Sequence, residues 1–220
     1  MGRLKRFNIN RIIKNFNIEY FFETGTWKGD GVAFASQFSF KKLYSSEIVE
    51  EFSIKATQRF KDKERVVILN KNSTTALSEM KEMMDGNCLF WLDAHYPSAD
   101  EGLSDYNDET DEDIRLPLAK EIAIIAQRKK LFRDVILIDD LRIYEDGPFA
   151  SGNISEKIIS PKIRNINFIN EAFSDTHDIH RSYKDEGYVY LLPKHSKSRN
   201  SILRFYDRLM KIVGKKVIVW

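Results

Sequence analysis

Cysteine is nearly absent from this sequence, and long apolar segments are missing from it. Its 220 residues include one cysteine, Cys88, so an internal disulfide is excluded, and no Cys/His spacing matches that of a zinc finger. No apolar run approaches the roughly 20 residues that a membrane-spanning helix needs. The basic residues 1–7 are not followed by the apolar region of a secretory signal peptide. We therefore expect a protein of the reducing cytoplasm.

Long regions of one charge are also lacking, apart from three short segments. Hydrophobic residues make up 42% of the sequence, charged residues 31%, and the formal net charge is +2, a composition typical of globular proteins. All charged side chains in residues 1–14 are basic, residues 194–216 contain Asp207 as their single acid, and residues 100–113 contain eight acids and no base. Nucleic-acid binding would require a continuous basic face with interleaved aromatic residues, so we expect no nucleic-acid partner. The basic ends are either solvated surfaces or contacts for a phosphorylated substrate or an anionic membrane.

Short apolar segments alternate with segments of helical spacing over most of the sequence. The apolar segments predict strands at residues 20–24, 42–46, 66–69, 88–92 and 135–138, followed by a hairpin of strands 178–183 and 187–192. Helices are predicted at residues 6–17, 31–37, 49–60, 74–84, 116–130 and 201–213, with a weak helix within 155–173 that is broken at Pro161. This order predicts an α/β protein with a Rossmann-like, doubly wound, mostly parallel sheet closed by an antiparallel hairpin.

The length of the sequence favours one domain over residues 1–220. Within it we distinguish an N-terminal helical extension at 1–18, an acidic insertion at 98–114, and a C-terminal helix and basic tail at 196–220. The first helix is expected to cap one end of the sheet, and the strand at 66–69 is expected to be buried.

Acidic residues mark the ends of four predicted parallel strands. Glu23 lies near the end of the first strand, and Glu47, Asp93 and Asp139 follow the second, fourth and fifth. In open α/β sheets, ligands bind beyond the carboxyl ends of the strands. We therefore predict that these four acids converge on one crevice.

A glycine-rich turn follows the first strand. Gly25, Gly29 and Gly31 separate this strand from the next predicted helix, and Thr26 lies between them. Strand, glycine turn and helix together bring backbone N–H groups and a helix N-terminus against a ligand, and residues without Cβ let the backbone approach it closely. An ordinary βα turn, in which the glycines serve packing, is the alternative.

Residues 20–192 resemble the class I S-adenosylmethionine-dependent methyltransferases. The segment Glu-Thr-Gly-Thr-Trp-Lys-Gly-Asp-Gly at 23–31 is similar to the first motif of this family, in the longer-loop form of bacterial sugar O-methyltransferases of the macrocin and novobiocin type. Glu47 matches the acid that holds the ribose hydroxyls, since a carboxylate accepts both hydrogen bonds of a vicinal diol. The cofactor-binding residues that the resemblance implies are Glu23, Gly25, Thr26, Gly29, Gly31, Glu47, Asn72, Ser73 and Asp93. Asn72 and Ser73 would contact adenine, although a helix N-cap explains Ser73 equally well.

Two further motifs carry the resemblance to the sugar-modifying relatives. Phe-Trp-Leu-Asp-Ala-His-Tyr at 90–96 and Val-Ile-Leu-Ile-Asp-Asp-Leu at 135–141 match the segments with which those enzymes bind magnesium. The resemblance implies that Asp93, Asp139 and Asp140 bind Mg²⁺ (or Mn²⁺), for which carboxylates are hard oxygen ligands. It also implies that Asp93 and His95 are catalytic, with His95 accepting the proton of the acceptor hydroxyl. A histidine at the base position and the acidic insertion after it distinguish this sequence from those relatives.

Each of these residues also has a structural interpretation. The alternative for His95 is an uncharged histidine packed against the strand end, and the alternative for Asp139 and Asp140 is a solvated strand terminus with a helix N-cap. Residues 100–113 form either a solvated loop or a lid over the acceptor.

The function that these observations favour is O-methylation of a hydroxyl group on a sugar or surface-glycan intermediate. A small catechol-type acceptor, a noncatalytic cofactor-binding protein of the same fold, and a dinucleotide-dependent oxidoreductase are the alternatives. The glutamate that ends the first strand, the wide glycine spacing and the closing hairpin weigh against the oxidoreductase. A methyltransferase for nucleic-acid bases would carry an Asn/Asp-Pro-Pro-Tyr/Phe run where this sequence has Asp-Ala-His-Tyr at 93–96. The sequence is compatible with a homo-oligomer.

Overall fold

The computed structural model of the protein describes residues 4–94, 116–154 and 164–194. Four expectations lie outside these ranges: the placement of His95, the acidic insertion at 98–114, the helix break at Pro161, and the C-terminal helix and basic tail at 196–220.

The described residues form seven strands and six helices, numbered here in chain order. The strands are β1 (Ile18–Thr24), β2 (Lys42–Glu47), β3 (Val66–Asn70), β4 (Asn87–Leu92), β5 (Val135–Ile138), β6 (His177–Ser182) and β7 (Tyr188–Pro193). The helices are α1 (Ile9–Phe16), α2 (Asp30–Ala35), α3 (Glu50–Arg59), α4 (Ser73–Met80), α5 (Leu118–Ala126) and α6 (Asn167–Phe173), and short 3-10 turns cover Leu4–Arg6 and Leu141–Ile143. None of the helices within the described ranges combines the length and the apolar character needed to cross a bilayer.

All seven strands belong to one sheet, in the order β3-β2-β1-β4-β5-β7-β6. Neighbouring strands from β3 to β5 are parallel, whereas β7 runs antiparallel to both β5 and β6. A short turn joins β6 to β7, and strands joined in this way must be antiparallel. The predicted fold class, a mostly parallel Rossmann-like sheet closed by an antiparallel hairpin, is confirmed.

Both faces of the sheet are apolar, because successive residues of a strand point to opposite faces. In β1, Phe21 points to one face, and Tyr20 and Phe22 point to the other. Helices α1 and α2 pack on the face that contains Phe21, and α4, α5 and α6 pack on the opposite face. Since helices cover both faces, the central strands are continuous apolar runs rather than alternating ones.

The N-terminal helix packs on a face of the sheet, whereas the sequence analysis expected it to cap one end of the sheet. Phe7 and Ile12 are buried in the same apolar cluster as Phe21 of β1 and Trp91 of β4. The buried residues of α1 recur along its full length, so only a sheet face offers enough apolar surface to cover them.

Strand β3 is half exposed rather than buried, and this expectation was wrong. Residues 66–69 keep intermediate exposure because, among the described strands, β3 is outermost and pairs only with β2. An apolar run indicates a strand but does not reveal its position in the sheet, since the strand order depends on the tertiary fold.

Helices α4 and α5 end earlier than predicted because the turns that follow them meet at a buried ion pair. Arg128, which is 4% exposed, donates to the carbonyl oxygen of Gly86 at 2.7 Å and to Asp134 Oδ2 at 2.9 Å. Asp134 Oδ1 accepts the backbone N–H of Cys88 at 2.8 Å. This ion pair therefore joins the two turns to the beginnings of β4 and β5, at the edge of the sheet opposite the candidate site.

Candidate active site

Acidic residues from four strands meet at the carboxyl edge of the sheet. They are Glu23 in β1, Glu47 in β2, Asp93 after β4, and Asp139 and Asp140 after β5. Backbone hydrogen bonds continue the sheet beyond the strand ends: the Asp93 N–H donates to Thr24 O at 3.2 Å and the Asp139 N–H donates to Leu92 O at 3.0 Å. The structure thus brings these acids to one edge, where parallel strands place the residues that follow them.

The glycine-rich turn packs tightly against the protein's own atoms. Gly25 has φ +81°, and a Cβ at this position would lie 2.8 Å from the carbonyl oxygen of Asp93. A Cβ on Gly31, in the first turn of α2, would lie 1.8 Å from Glu23 Oε1. Gly29, also at positive φ, directly precedes α2. Gly25 and Gly31 are therefore required for packing, whatever the turn binds.

Glu23 is a buried carboxyl group that accepts a hydrogen bond from a hydroxyl group. Ser45 Oγ donates to Glu23 Oε2 at 2.6 Å, and Thr26 Oγ1 lies 2.6 Å from Ser45 Oγ. No cationic side chain within the described ranges forms an ion pair with Glu23. Burial raises the pKa of Glu23 to about 8; the Ser45 hydrogen bond opposes this effect, and the charges of Asp93 and Glu47 add to it. A ligand that carries positive charge would relieve the cost of ionising this group.

Glu47 is oriented by two backbone N–H groups. Trp27 N–H donates to Glu47 Oε2 at 2.7 Å, and Val49 N–H donates to Glu47 Oε1 at 2.8 Å. Trp27 adopts φ +44°, a conformation that few residues other than glycine adopt, and in it the Trp27 N–H points at the carboxylate. Each carboxylate oxygen can still accept a second hydrogen bond, so Glu47 remains able to bind a vicinal diol.

Ile48 is an exposed aliphatic residue beside Glu47 that the sequence analysis did not single out. It follows Glu47 directly and is 39% exposed, although large aliphatic side chains are usually buried. The signal in the sequence is weak, because an isoleucine after a strand looks like one more core residue. Next to it, Asn70 Nδ2 donates to Glu47 O at 2.9 Å and so fixes the chain at this point.

The residues after β3 form a helix cap. Asn72 Oδ1 accepts the Thr75 N–H at 2.8 Å and the Thr74 hydroxyl at 3.1 Å, so Asn72 is the N-cap of α4. Ser73 is the first residue of the helix and is buried. The N-cap role that the sequence allowed for Ser73 therefore belongs to Asn72, and adenine contact by either residue stays a prediction.

Three carboxylates form a compact cluster beside the glycine turn. Asp93, Asp139 and Asp140 each offer an oxygen within 4.8 Å of the other two. Both carboxylate oxygens of Asp139 are buried, and neither has a hydrogen-bond partner among the described residues. Burial raises the pKa of Asp139 well above its usual range, and the charges of Asp93 and Asp140 act in the same direction. This donor set fits a divalent cation, which binds several carboxylate oxygens and offsets their repulsion.

The alternative interpretation of Asp139 and Asp140 as a solvated strand end is wrong. Asp139 is 4% exposed and Asp140 is 7% exposed. Asp140 adopts φ 52° at the start of the 3-10 turn and makes no side-chain cap hydrogen bond with that turn. The Nε atom of Arg142 lies 3.9 Å from Asp140 Oδ1, and its Nη2 atom lies 2.9 Å from Glu186 in the β6–β7 turn. The closing hairpin thus supports the acidic cluster.

Comparisons with known proteins agree on the fold. No protein-family model matches the sequence, and no curated protein matches it. An O-methyltransferase from Bacillus cereus in complex with SAH superposes with a TM-score of 0.55 at 12% identity, covering 88% of this chain and 82% of that one. A protein from Staphylococcus aureus described as a putative caffeoyl-CoA O-methyltransferase gives 0.53 at 15% identity, covering 88% and 85%. A protein from Clostridium thermocellum described as a putative rRNA methylase gives 0.53 at 14% identity, covering 83% and 94%.

The sheet order and the closing hairpin define the fold of the class I methyltransferases. At 12–15% identity the likeness to these structures is one of fold. One of these proteins is described as an rRNA methylase and another as a caffeoyl-CoA O-methyltransferase, so the fold by itself does not identify the acceptor.

Proposed function

We propose that this protein is an S-adenosylmethionine-dependent O-methyltransferase that methylates a hydroxyl group of a sugar or surface-glycan intermediate with the assistance of Mg²⁺ or Mn²⁺. The observation that carries the proposal is the cluster of Asp93, Asp139 and Asp140 beside the glycine turn. A methyltransferase that used positioning alone would have no need of three carboxylates at this edge.

The cofactor is proposed to lie along the carboxyl ends of β1 and β2. S-adenosylmethionine supplies a methyl group already activated by a sulfonium, so the protein has mainly to position the reactants. Glu23 would face the positive charge of the ligand, and the two oriented oxygens of Glu47 would accept the ribose hydroxyls. Ile48 offers an apolar surface to the adenine ring. The remaining cofactor-binding residues in the proposal are Gly25, Thr26, Gly29, Gly31, Asn72, Ser73 and Asp93.

The metal site is proposed to consist of Asp93, Asp139 and Asp140. A divalent cation bound there would hold acceptor hydroxyls and lower their pKa. The protein's own contribution is the support of these ligands, since Arg142 lies beside Asp140 and Asp139 is held within the sheet edge. A sugar with neighbouring hydroxyl groups suits such a site.

His95 is proposed to take the proton during transfer. The acceptor oxygen forms a bond to the methyl carbon while the carbon–sulfur bond breaks, and a ring nitrogen of His95 receives the hydroxyl proton. This role rests on the position of His95 two residues after Asp93. A neutral imidazole is suited to the task because its pKa lies close to physiological pH.

A catechol-type acceptor is the second candidate. One structural neighbour is described as a putative caffeoyl-CoA O-methyltransferase, and a vicinal pair of aromatic hydroxyls would satisfy the same acidic cluster. Aromatic hydroxyls ionise more readily than sugar hydroxyls, so a catechol would depend less on His95 than a sugar does.

Transfer of a labelled methyl group tests both candidates. The protein would be incubated with labelled S-adenosylmethionine and, in parallel, with extracts of surface-glycan precursors and with a panel of catechols. We expect labelling of the glycan fraction that disappears in excess EDTA and returns with Mg²⁺ or Mn²⁺. Labelling that persists in EDTA would refute the metal site. Labelling of catechols alone would show that the acceptor is a catechol and not a sugar.

A further inference from the structure

The indole N–H of Trp91 points at one of the proposed metal ligands. Trp91 Nε1 lies 3.3 Å from Asp93 Oδ2 and donates a hydrogen bond to it. Residues two apart in an extended chain lie on the same face, so the indole approaches Asp93 from the face that α1 covers. Trp91 is 2% exposed, so the donor side of this hydrogen bond is buried.

Two other rings hold the indole in place. Phe7, from the N-terminal segment, packs on Trp91 at a centroid distance of 6.1 Å, and Tyr188, from β7, packs on it at 6.3 Å. Phe7 and Tyr188 also contact each other edge to face at 5.4 Å. The three rings form a closed cluster, which leaves the indole N–H little freedom to turn away from Asp93.

Tyr188 and Arg6, the residue before Phe7, both bind one carboxylate on the hairpin. Arg6 donates from Nε and Nη2 to the two oxygens of Asp185 at 2.9 and 2.7 Å. The Tyr188 hydroxyl donates to Asp185 Oδ2 at 3.0 Å. The N-terminal segment and the closing hairpin thus converge on the support of Trp91.

We propose that Trp91 is a positioning residue, whose indole N–H holds the Asp93 carboxylate in the orientation that binds the divalent cation. This inference rests on the proposed function, in which Asp93 is a metal ligand. A carboxylate already held by a buried donor loses less rotational freedom when it binds a cation, and it keeps one oxygen directed at the metal. Phe7 and Tyr188 keep the donor in place, which gives the N-terminal segment a role in the site.

Metal binding to the full-length protein tests this role without any acceptor. The Trp91→Phe variant keeps an aromatic ring and loses the donor, and electron paramagnetic resonance of unbound Mn²⁺ measures the affinity. We expect Mn²⁺ to bind roughly tenfold more weakly to this variant. Binding of S-adenosylhomocysteine (SAH), measured by calorimetry, should persist in this variant because Glu23 and Glu47 of the proposed cofactor site are unchanged.

Phe21→Leu is the matched control, because it removes ring packing on the same sheet face but no hydrogen bond to Asp93. Its Mn²⁺ affinity should equal that of the wild type. Equal Mn²⁺ affinities for Trp91→Phe and wild type, or an equal loss in Phe21→Leu, would refute the positioning role and leave the proposed function standing. A wild-type protein that binds SAH but no Mn²⁺ would refute the metal site, and the inference with it.

Nuclear magnetic resonance provides a second measurement that does not depend on the folding of Trp91→Phe. In ¹⁵N-labelled protein, Asp93→Asn should shift the indole N–H signal of Trp91 more than that of Trp27, because of these two indoles it is that of Trp91 that donates to Asp93. Addition of Mg²⁺ to the wild-type protein should move the same signal. An indole signal that responds to neither change would overturn the proposal.

Discussion

Replacing Glu23 by glutamine tests whether the site is built to receive a positively charged ligand. Burial, opposed by the Ser45 hydrogen bond and aided by the charges of Asp93, Glu47 and Asp30, raises the pKa of Glu23 from 4.5 to about 8. The folded protein therefore holds a proton that the unfolded chain releases above pH 4.5. It follows that the free energy of unfolding falls as the pH rises from 4.5 to 8.

The size of this effect follows from the pKa. One pKa unit corresponds to about 1.36 kcal/mol, so a pKa raised from 4.5 to about 8 costs at most about 5 kcal/mol of stability over that pH interval. Glutamine has nearly the same size and still accepts the Ser45 hydroxyl, but it cannot ionise. In the absence of ligand, we expect the free energy of unfolding of Glu23→Gln to rise by roughly 2–5 kcal/mol relative to that of the wild type between pH 5 and pH 8.

Urea unfolding at a series of pH values measures this difference. Glu82→Gln, at an exposed glutamate, is the control, and its stability should follow that of the wild type at every pH. SAH should stabilise the wild type more than Glu23→Gln at pH 8, because its ammonium group favours the ionised carboxylate. Parallel pH profiles for Glu23→Gln and the wild type would show that Glu23 is already ionised in the ligand-free protein, and the reasoning would fail.

Three further predictions follow from the structure. Glu47→Ala should weaken SAH binding by roughly 1–3 kcal/mol in calorimetry, since two charge-assisted hydrogen bonds are lost, whereas Glu51→Ala, at an exposed position of α3, should not change it. His95→Ala should lower kcat by about 10²–10⁴-fold and leave SAH affinity unchanged, and the wild-type rate should fall as the pH drops below about 6.5. A near-normal kcat of His95→Ala would show that His95 has a structural role. Arg128→Ala should lower the free energy of unfolding by about 3–5 kcal/mol in urea, because Asp134 would remain buried without its partner, and a loss below 1 kcal/mol would contradict the buried ion pair.

The sequence predicted the framework of the fold because each central strand is both apolar and short. Strands β1, β4 and β5 have to be covered on both faces, and the helices between them supply that cover. The acids at the strand ends could be predicted for the same reason, since parallel strands carry the residues that follow them to one edge. The position of β3 at the edge of the sheet could not, because neither its composition nor its length differs from that of a central strand.

The finer features of the site depend on contacts between distant segments. Glu47 is oriented by the N–H of Trp27, which reaches it only because the backbone at Trp27 takes an unusual φ. Position 31 must be glycine because a Cβ there would clash with the Glu23 carboxyl group. The sequence shows that both residues belong to one motif, but it does not show that they touch. The hydrogen bond from Trp91 to Asp93 was hidden for a similar reason, since an aromatic residue in an apolar strand resembles any other core residue.

The place of β7 in the sheet has a consequence for how the chain is made. β7 lies between β5 and β6, although it is the last of the seven described strands to leave the ribosome. Until it arrives, β5 presents an apolar strand with one unpaired edge, and β6 has no partner in the sheet. Open apolar edges are places where chains can pair with one another, so we expect the growing chain to be more prone to aggregation before β7 pairs with β5 than afterwards. The last described strand to be synthesised is thus the one that covers the open edge of β5.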